Sequence, residues 1–160
     1  METNFIEAHN NNGNTLQALG RLSEALVSFK QAISLQPDFT EAHYNLGITL
    51  KALGRLHEAE ASYRQAIALK PKYAEAYNNL GVTLKELGRL DEAVASCCQA
   101  MALKPDFSEA YVSLGIALGN VRFKSANPKL YAPFIRLLTD GNFARPKDVA
   151  KSILSLLKQD

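Results

Sequence analysis

The sequence repeats itself every ~34 residues, and a period of that length belongs to chains built from stacked helical hairpins. Thr40 to Tyr73 reads TEAHYNLGITLKALGRLHEAEASYRQAIALKPKY, and Ala74 to Phe107 reads AEAYNNLGVTLKELGRLDEAVASCCQAMALKPDF. Leu46, Gly47, Leu50, Leu53, Ala59, Tyr63 and Ala66 are answered by Leu80, Gly81, Leu84, Leu87, Ala93, Cys97 and Ala100. This spacing places the apolar and small residues on one face of each helix. Each repeat therefore needs its neighbour to cover that face.

The frame extends in both directions. Ile6 to Phe39 holds Gly13, Leu16, Leu19, Gly20, Ala25, Phe29, Ala32 and Pro37 in the same columns, but Asn12 stands where later repeats carry Leu46, Leu80 and Leu114. The first helix is expected to fray at this exposed end. Gly20-Arg21-Leu22, Gly54-Arg55-Leu56 and Gly88-Arg89-Leu90 mark the hairpin turns, with glycine in a left-handed closing conformation. Pro37, Pro71 and Pro105 end the second helices, since a proline disfavours helix at the residue before it. Gly47 and Gly81 are expected to let the paired helices approach closely at Ala59 and Ala93.

A fourth first-helix, SEAYVSLGIALGN, begins at Ser108, and then the register is lost, with Arg122 in place of the turn glycine. The sequence predicts a solenoid over 1–119, with repeats at about 6–39, 40–73 and 74–107 and a half repeat at 108–119. The remaining 120–160 is expected to form a loop and a helical cap. Asn127-Pro128 caps and opens a helix over about 128–139, and Pro146 opens another over about 146–158. The cap predicts a monomer; the rival reading is self-association through the same C-terminal helices.

These columns resemble the tetratricopeptide repeat family: a large residue, Leu-Gly, a later alanine, an aromatic, another alanine and a closing proline. The resemblance implies an all-α right-handed superhelix whose first helices line a concave, peptide-binding face. On that face, Asn11, Asn45, Asn79 and Ser113 form one column, and Asn10, Tyr44 and Asn78 a second beside it. A carboxamide both donates and accepts, so a row of them can hold the main chain of an extended peptide. The row resembles the asparagine ladder in the repeat region of O-linked N-acetylglucosamine transferase. The carboxylate clamp of some co-chaperones is also testable: Asn14 and Asn45 match its amides, but Asn10, Glu75 and Asn79 replace its cations. An acidic tail would therefore meet no positive charge. Lys51 and Lys85 add cations to the face, whereas Glu7, Glu41, Glu75 and Glu109 read as helix-end, solvated charges.

Composition narrows the function classes. The 160 residues are 47% hydrophobic and 21% charged, with a net charge of +2, as in an ordinary globular protein. The cations are interspersed with acids, which argues against nucleic acid. No apolar run reaches the ~18 residues of a membrane span, and METNFIEAHNNN lacks the basic and apolar regions of a leader. The expected location is the cytoplasm. Adjacent Cys97 and Cys98 diverge by ~100° on a helix and suit a reducing compartment. Cys97 takes the aromatic column and is expected to be buried, with Cys98 more exposed. His9 and His43 share a column with Tyr77 and Tyr111, which makes them packing residues with a polar tip. There is no phosphate loop, metal-ligand spacing or nucleophile elbow, so no cofactor, metal or catalytic residue is assigned. The sequence predicts a non-catalytic scaffold for an extended peptide or partner helix. The alternatives are the docking region of a larger enzyme, such as a glycosyltransferase, and a self-assembling module.

Overall fold

The computed structural model describes residues 2–118. The cap helices expected over 128–139 and 146–158, and the loop before them, lie outside the described residues. Among those residues there are seven helices and no strand: α1 (Glu2–Ala18), α2 (Leu22–Leu35), α3 (Thr40–Ala52), α4 (Leu56–Leu69), α5 (Ala74–Glu86), α6 (Leu90–Leu103) and α7 (Ser108–Leu118). The chain divides into two compact units, Met1–Asn79 and Leu80–Asp160, with the division inside α5.

In the first unit, α1 pairs with α2, α3 with α4, and α2 packs on α3. Each hairpin closes through the same turn. The glycines have positive φ, 73° at Gly20 and Gly54, where other residues are strained. Gly54 N–H donates to the Lys51 carbonyl and Arg55 N–H to the Leu50 carbonyl, both at 2.9 Å. This pair of bonds satisfies the last carbonyls of the helix. The arginine after each glycine also precedes the next helix and bonds its first-turn carboxylate: Arg21 to Glu24 and Arg55 to Glu58. At the far end of each second helix the residue before the proline leaves the helical region: Gln36 is extended, and Lys70 has φ −132° and ψ 87°, since the proline ring disfavours helix there.

The core of this unit is a row of small residues and rings. Ala25, Phe29 and Ala32, then Ala59, Tyr63 and Ala66, are all 0% exposed. The helix glycines face the rings: a Cβ at Gly13 would lie 2.6 Å from the Phe29 ring, and one at Gly47 would lie 2.6 Å from the Tyr63 ring. The nearest atoms at Gly47 are those of the Tyr63 ring. Asn12, in the leucine column, is exposed and donates to the Ser28 hydroxyl at 2.8 Å. The polar side chain ties α1 to α2, and α1 is helical through this position.

In the second unit, the turn recurs at Gly88, with φ 77°, and Arg89 bonds Glu92. The aromatic of the earlier hairpins is here Cys97, 1% exposed. A Cβ at Gly81 would lie 2.6 Å from the Cys97 Sγ and 3.0 Å from the Ala93 carbonyl oxygen. α6 packs on α7, burying Leu114 and Ala117.

Candidate functional site

The two polar columns are joined diagonally. Asn45, on α3, donates its Nδ2–H to Asn10 Oδ1 on α1 at 3.2 Å. Asn79, on α5, donates its Nδ2–H to the Tyr44 hydroxyl on α3 at 3.0 Å. Both bonds span 35 residues, one more than the repeat, so the sixth residue of one repeat reaches the fifth of the repeat before it. Treating the columns as separate rows hides this; pairing residues at the period plus one would have found it.

The bonds sort the candidate residues. Asn10 and Asn78 are buried, each 8% exposed, while Asn11 and Asn14 are exposed and Tyr44, Asn45, Asn79 and Lys51 are half-buried. Asn78 Oδ1 is buried without a hydrogen-bond partner. Lys85 and Ser113, both half-buried, belong to the second unit. The first unit therefore holds two bonded pairs in this group, Asn10 with Asn45 and Tyr44 with Asn79.

Aromatic rings adjoin this group. The Tyr44 and Tyr73 rings lie 4.8 Å apart at 39°, and Tyr44 is 6.1 Å from Tyr63. Burial pushes the Tyr73 hydroxyl above its ordinary pKa, and Tyr44, Glu41 and Glu75 push it further. The Tyr44 hydroxyl is raised by burial and by Glu75, against the lowering effect of the bond from Asn79. Glu41 precedes Tyr44 by one turn on α3, and Glu75 stands in the first turn of α5, two residues after Tyr73. Lys70 Nζ sits over the Tyr73 ring, 4.6 Å from its centre, within cation–π range.

The histidines and cysteines are built into the packing. His43 Nε2 is 2.8 Å from the Pro37 carbonyl oxygen; because that oxygen can only accept, Nε2 carries the proton. In the second unit the Tyr111 hydroxyl donates to the Pro105 carbonyl at 3.1 Å. This column thus latches a first helix to the end of the helix before it. Cys98, expected to be more exposed than Cys97, is also buried, at 9% against 1%. Burial pushes both thiols up to about 12, with the neighbouring Cys98 adding to the rise at Cys97. Among the described residues no group of His, Cys, Asp or Glu is arranged to hold a metal ion, and no helix is long and apolar enough to cross a membrane.

Helical hairpins that recur with the same glycine turn, the same small columns and the same inter-repeat proline define a helical-repeat protein. Profiles of the TPR repeat match residues 13–54 and 49–88, and one of the tetratricopeptide repeat matches 74–107. The chain belongs to the tetratricopeptide repeat family. Comparison with curated proteins gives no match, but solved structures share the fold. The crystal structure of MamA is 25% identical at a TM-score of 0.70, over 96% of this chain and 77% of that one. A mutant O-GlcNAc transferase of Thermobaculum terrenum is 26% identical at a TM-score of 0.73, over 88% of this chain but 26% of that one. The first TPR of Spaghetti (RPAP3), bound to an HSP90 peptide, is 23% identical at a TM-score of 0.70, over 71% of this chain and 90% of that one.

Proposed function

We propose that this chain is a non-catalytic protein-interaction scaffold that takes an extended peptide along the concave face lined by its first helices, at Asn45 and Asn79. The observation that supports this most is the diagonal bonding. It uses one N–H of Asn45, leaving that carboxamide a second N–H and its Oδ1 oxygen by valence. It also fixes the orientation of both amides before a ligand arrives, which lowers the ordering cost of binding. The Spaghetti TPR is bound to SRMEEVD, an acidic peptide. At the positions where the sequence resembles a carboxylate clamp, Asn10 is buried and bonded to Asn45 and Glu75 is an acid, so an acidic tail is not the ligand that suits this chain.

The test is titration of a peptide recovered from a displayed library against the wild type and the Asn45→Ala, Asn79→Ala double variant, with the folded fraction of each measured by circular dichroism. Each lost hydrogen bond should cost ~0.5–1.5 kcal/mol of affinity. Equal affinities for the two folded proteins would remove both amides from the mechanism.

A second reading, the docking region of a larger enzyme, is favoured by the Thermobaculum match, which lies within about a quarter (26%) of that transferase. An immunoblot that finds these repeats only within a far longer polypeptide would decide for it.

A further inference from the structure

The diagonal bonding stops short of its third member. Asn10, Tyr44 and Asn78 hold the fifth place of successive repeats, and Asn45 and Asn79 hold the sixth. Twice the fifth-place side chain is an acceptor filled from the repeat that follows: Asn10 Oδ1 takes the Asn45 Nδ2–H, and the Tyr44 hydroxyl oxygen takes the Asn79 Nδ2–H. Asn78 departs from this pattern. It is as buried as Asn10, each 8% exposed, yet its Oδ1 accepts no hydrogen bond. In the sequence, the sixth place of the next repeat is Ser113, whose side chain carries no N–H.

A buried acceptor without a donor has lost its hydration and gained no bond in exchange, so it lowers the stability of the free protein. Such groups are uncommon in native proteins. An apolar residue would avoid the loss, and the same column carries one, Val112, a repeat later. Asn78 adjoins Asn79 on α5, a first helix, so a donor that arrives with a ligand on that face suits it. The terminal torsion of a carboxamide is soft and roughly two-fold, which lets the oxygen turn to meet such a donor. An extended peptide offers a main-chain N–H at every residue except proline.

Resting on the scaffold reading above, we infer that Asn78 is a third peptide-binding amide, whose Oδ1 accepts a main-chain N–H of the bound peptide. Asn45 and Asn79 are oriented by their bonds before the peptide arrives, whereas Asn78 is filled only by the peptide. Keeping a carboxamide at this place makes the free protein less stable and the complex tighter.

Valine at this place separates stability from binding. Asn78→Val should melt no lower than the wild type, because it removes a polar atom that has no partner, whereas Asn10→Val should melt lower, because it takes away the acceptor of Asn45. Asn78→Ala, which leaves room instead of filling it, is carried alongside so that a packing clash is not mistaken for a lost bond. Both Asn78 variants should bind a peptide recovered from the displayed library ~3- to 10-fold more weakly than the wild type, the worth of one hydrogen bond. Replacing each main-chain amide of that peptide in turn by an ester removes one N–H at a time. One ester should weaken binding to the wild type by a similar factor and cost nothing further on the Asn78 variants, the coupling expected of two groups in contact. Wild-type affinity in both Asn78 variants, with binding still weakened by the Asn45→Ala, Asn79→Ala substitutions, overturns this inference and leaves the scaffold reading standing. Ester profiles that are the same on the wild type and the Asn78 variants also overturn it, as do Asn78 variants that both melt as far below the wild type as Asn10→Val. A peptide whose binding none of these substitutions alters overturns both readings.

Discussion

Cys97 and Cys98 show how a residue's place in the repeat sets its chemistry. Cys97 stands in the column of Phe29 and Tyr63, and burial there holds its thiol far above the ordinary 9.0, up to about 12. Cys98 is raised likewise by burial alone. Because the folded values exceed the unfolded ones, the neutral thiols contribute stability that is complete below pH ~9 and is lost as the pH climbs toward 12. Only the thiolate is nucleophilic, so a disulfide reagent at pH 8 should label the native protein orders of magnitude more slowly than the denatured one. Similar rates would contradict the burial of both thiols. Cys97 could be placed from its column, and Cys98 is the more exposed of the two as expected, yet it too is buried. Its environment depends on how α6 packs, and a helical wheel alone does not supply that. Asn45 and Asn79 teach the same lesson, since side chains read as free for a ligand are already bonded across repeats.

At the scale of the element, the hairpins were legible because their determinants are local. Gly20, Gly54 and Gly88 each take the positive φ that the Gly-Arg-Leu turns implied, and the prolines end the second helices where expected. What the columns left open was which side chain each helix glycine meets. Gly47 faces the Tyr63 ring, four residues beyond Ala59 on the same face of α4, while Gly81 faces both Cys97 and the Ala93 carbonyl. The Arg-x-x-Glu pairs were visible in the letters but carry little energy, since both partners are largely exposed. Gly81 is where element packing is most exposed to test. Gly81→Leu must displace a backbone carbonyl as well as a sulfur, and overpacking of this kind costs ~1–3 kcal/mol. Chemical denaturation should show that loss, and an unchanged midpoint would mean that α5 and α6 are not in tight contact there.

At the scale of the molecule, the repeat period alone was enough to anticipate an all-α repeat fold, because each hairpin can bury its apolar face only against the next. The candidate site was legible in its membership but not in its wiring. Asn10, Tyr44, Asn45 and Asn79 could be chosen from their columns, while the diagonal bonds and the Tyr44–Tyr73 contact are tertiary facts. The acidic column keeps the helix-start places read from the sequence: Glu41, Glu75 and Glu109 stand in first turns, and Glu41 and Glu109 are exposed. The scaffold function requires that a peptide lie against the first-helix face. Two-dimensional ¹H–¹⁵N spectra recorded while a peptide recovered from the displayed library is titrated into the protein test this most directly. The side-chain amide signals of Asn45 and Asn79 should shift first and together, with the Tyr44 backbone signal following them. Shifts confined to the exposed faces of the second helices, such as Arg64 and Gln65 on α4, would contradict it.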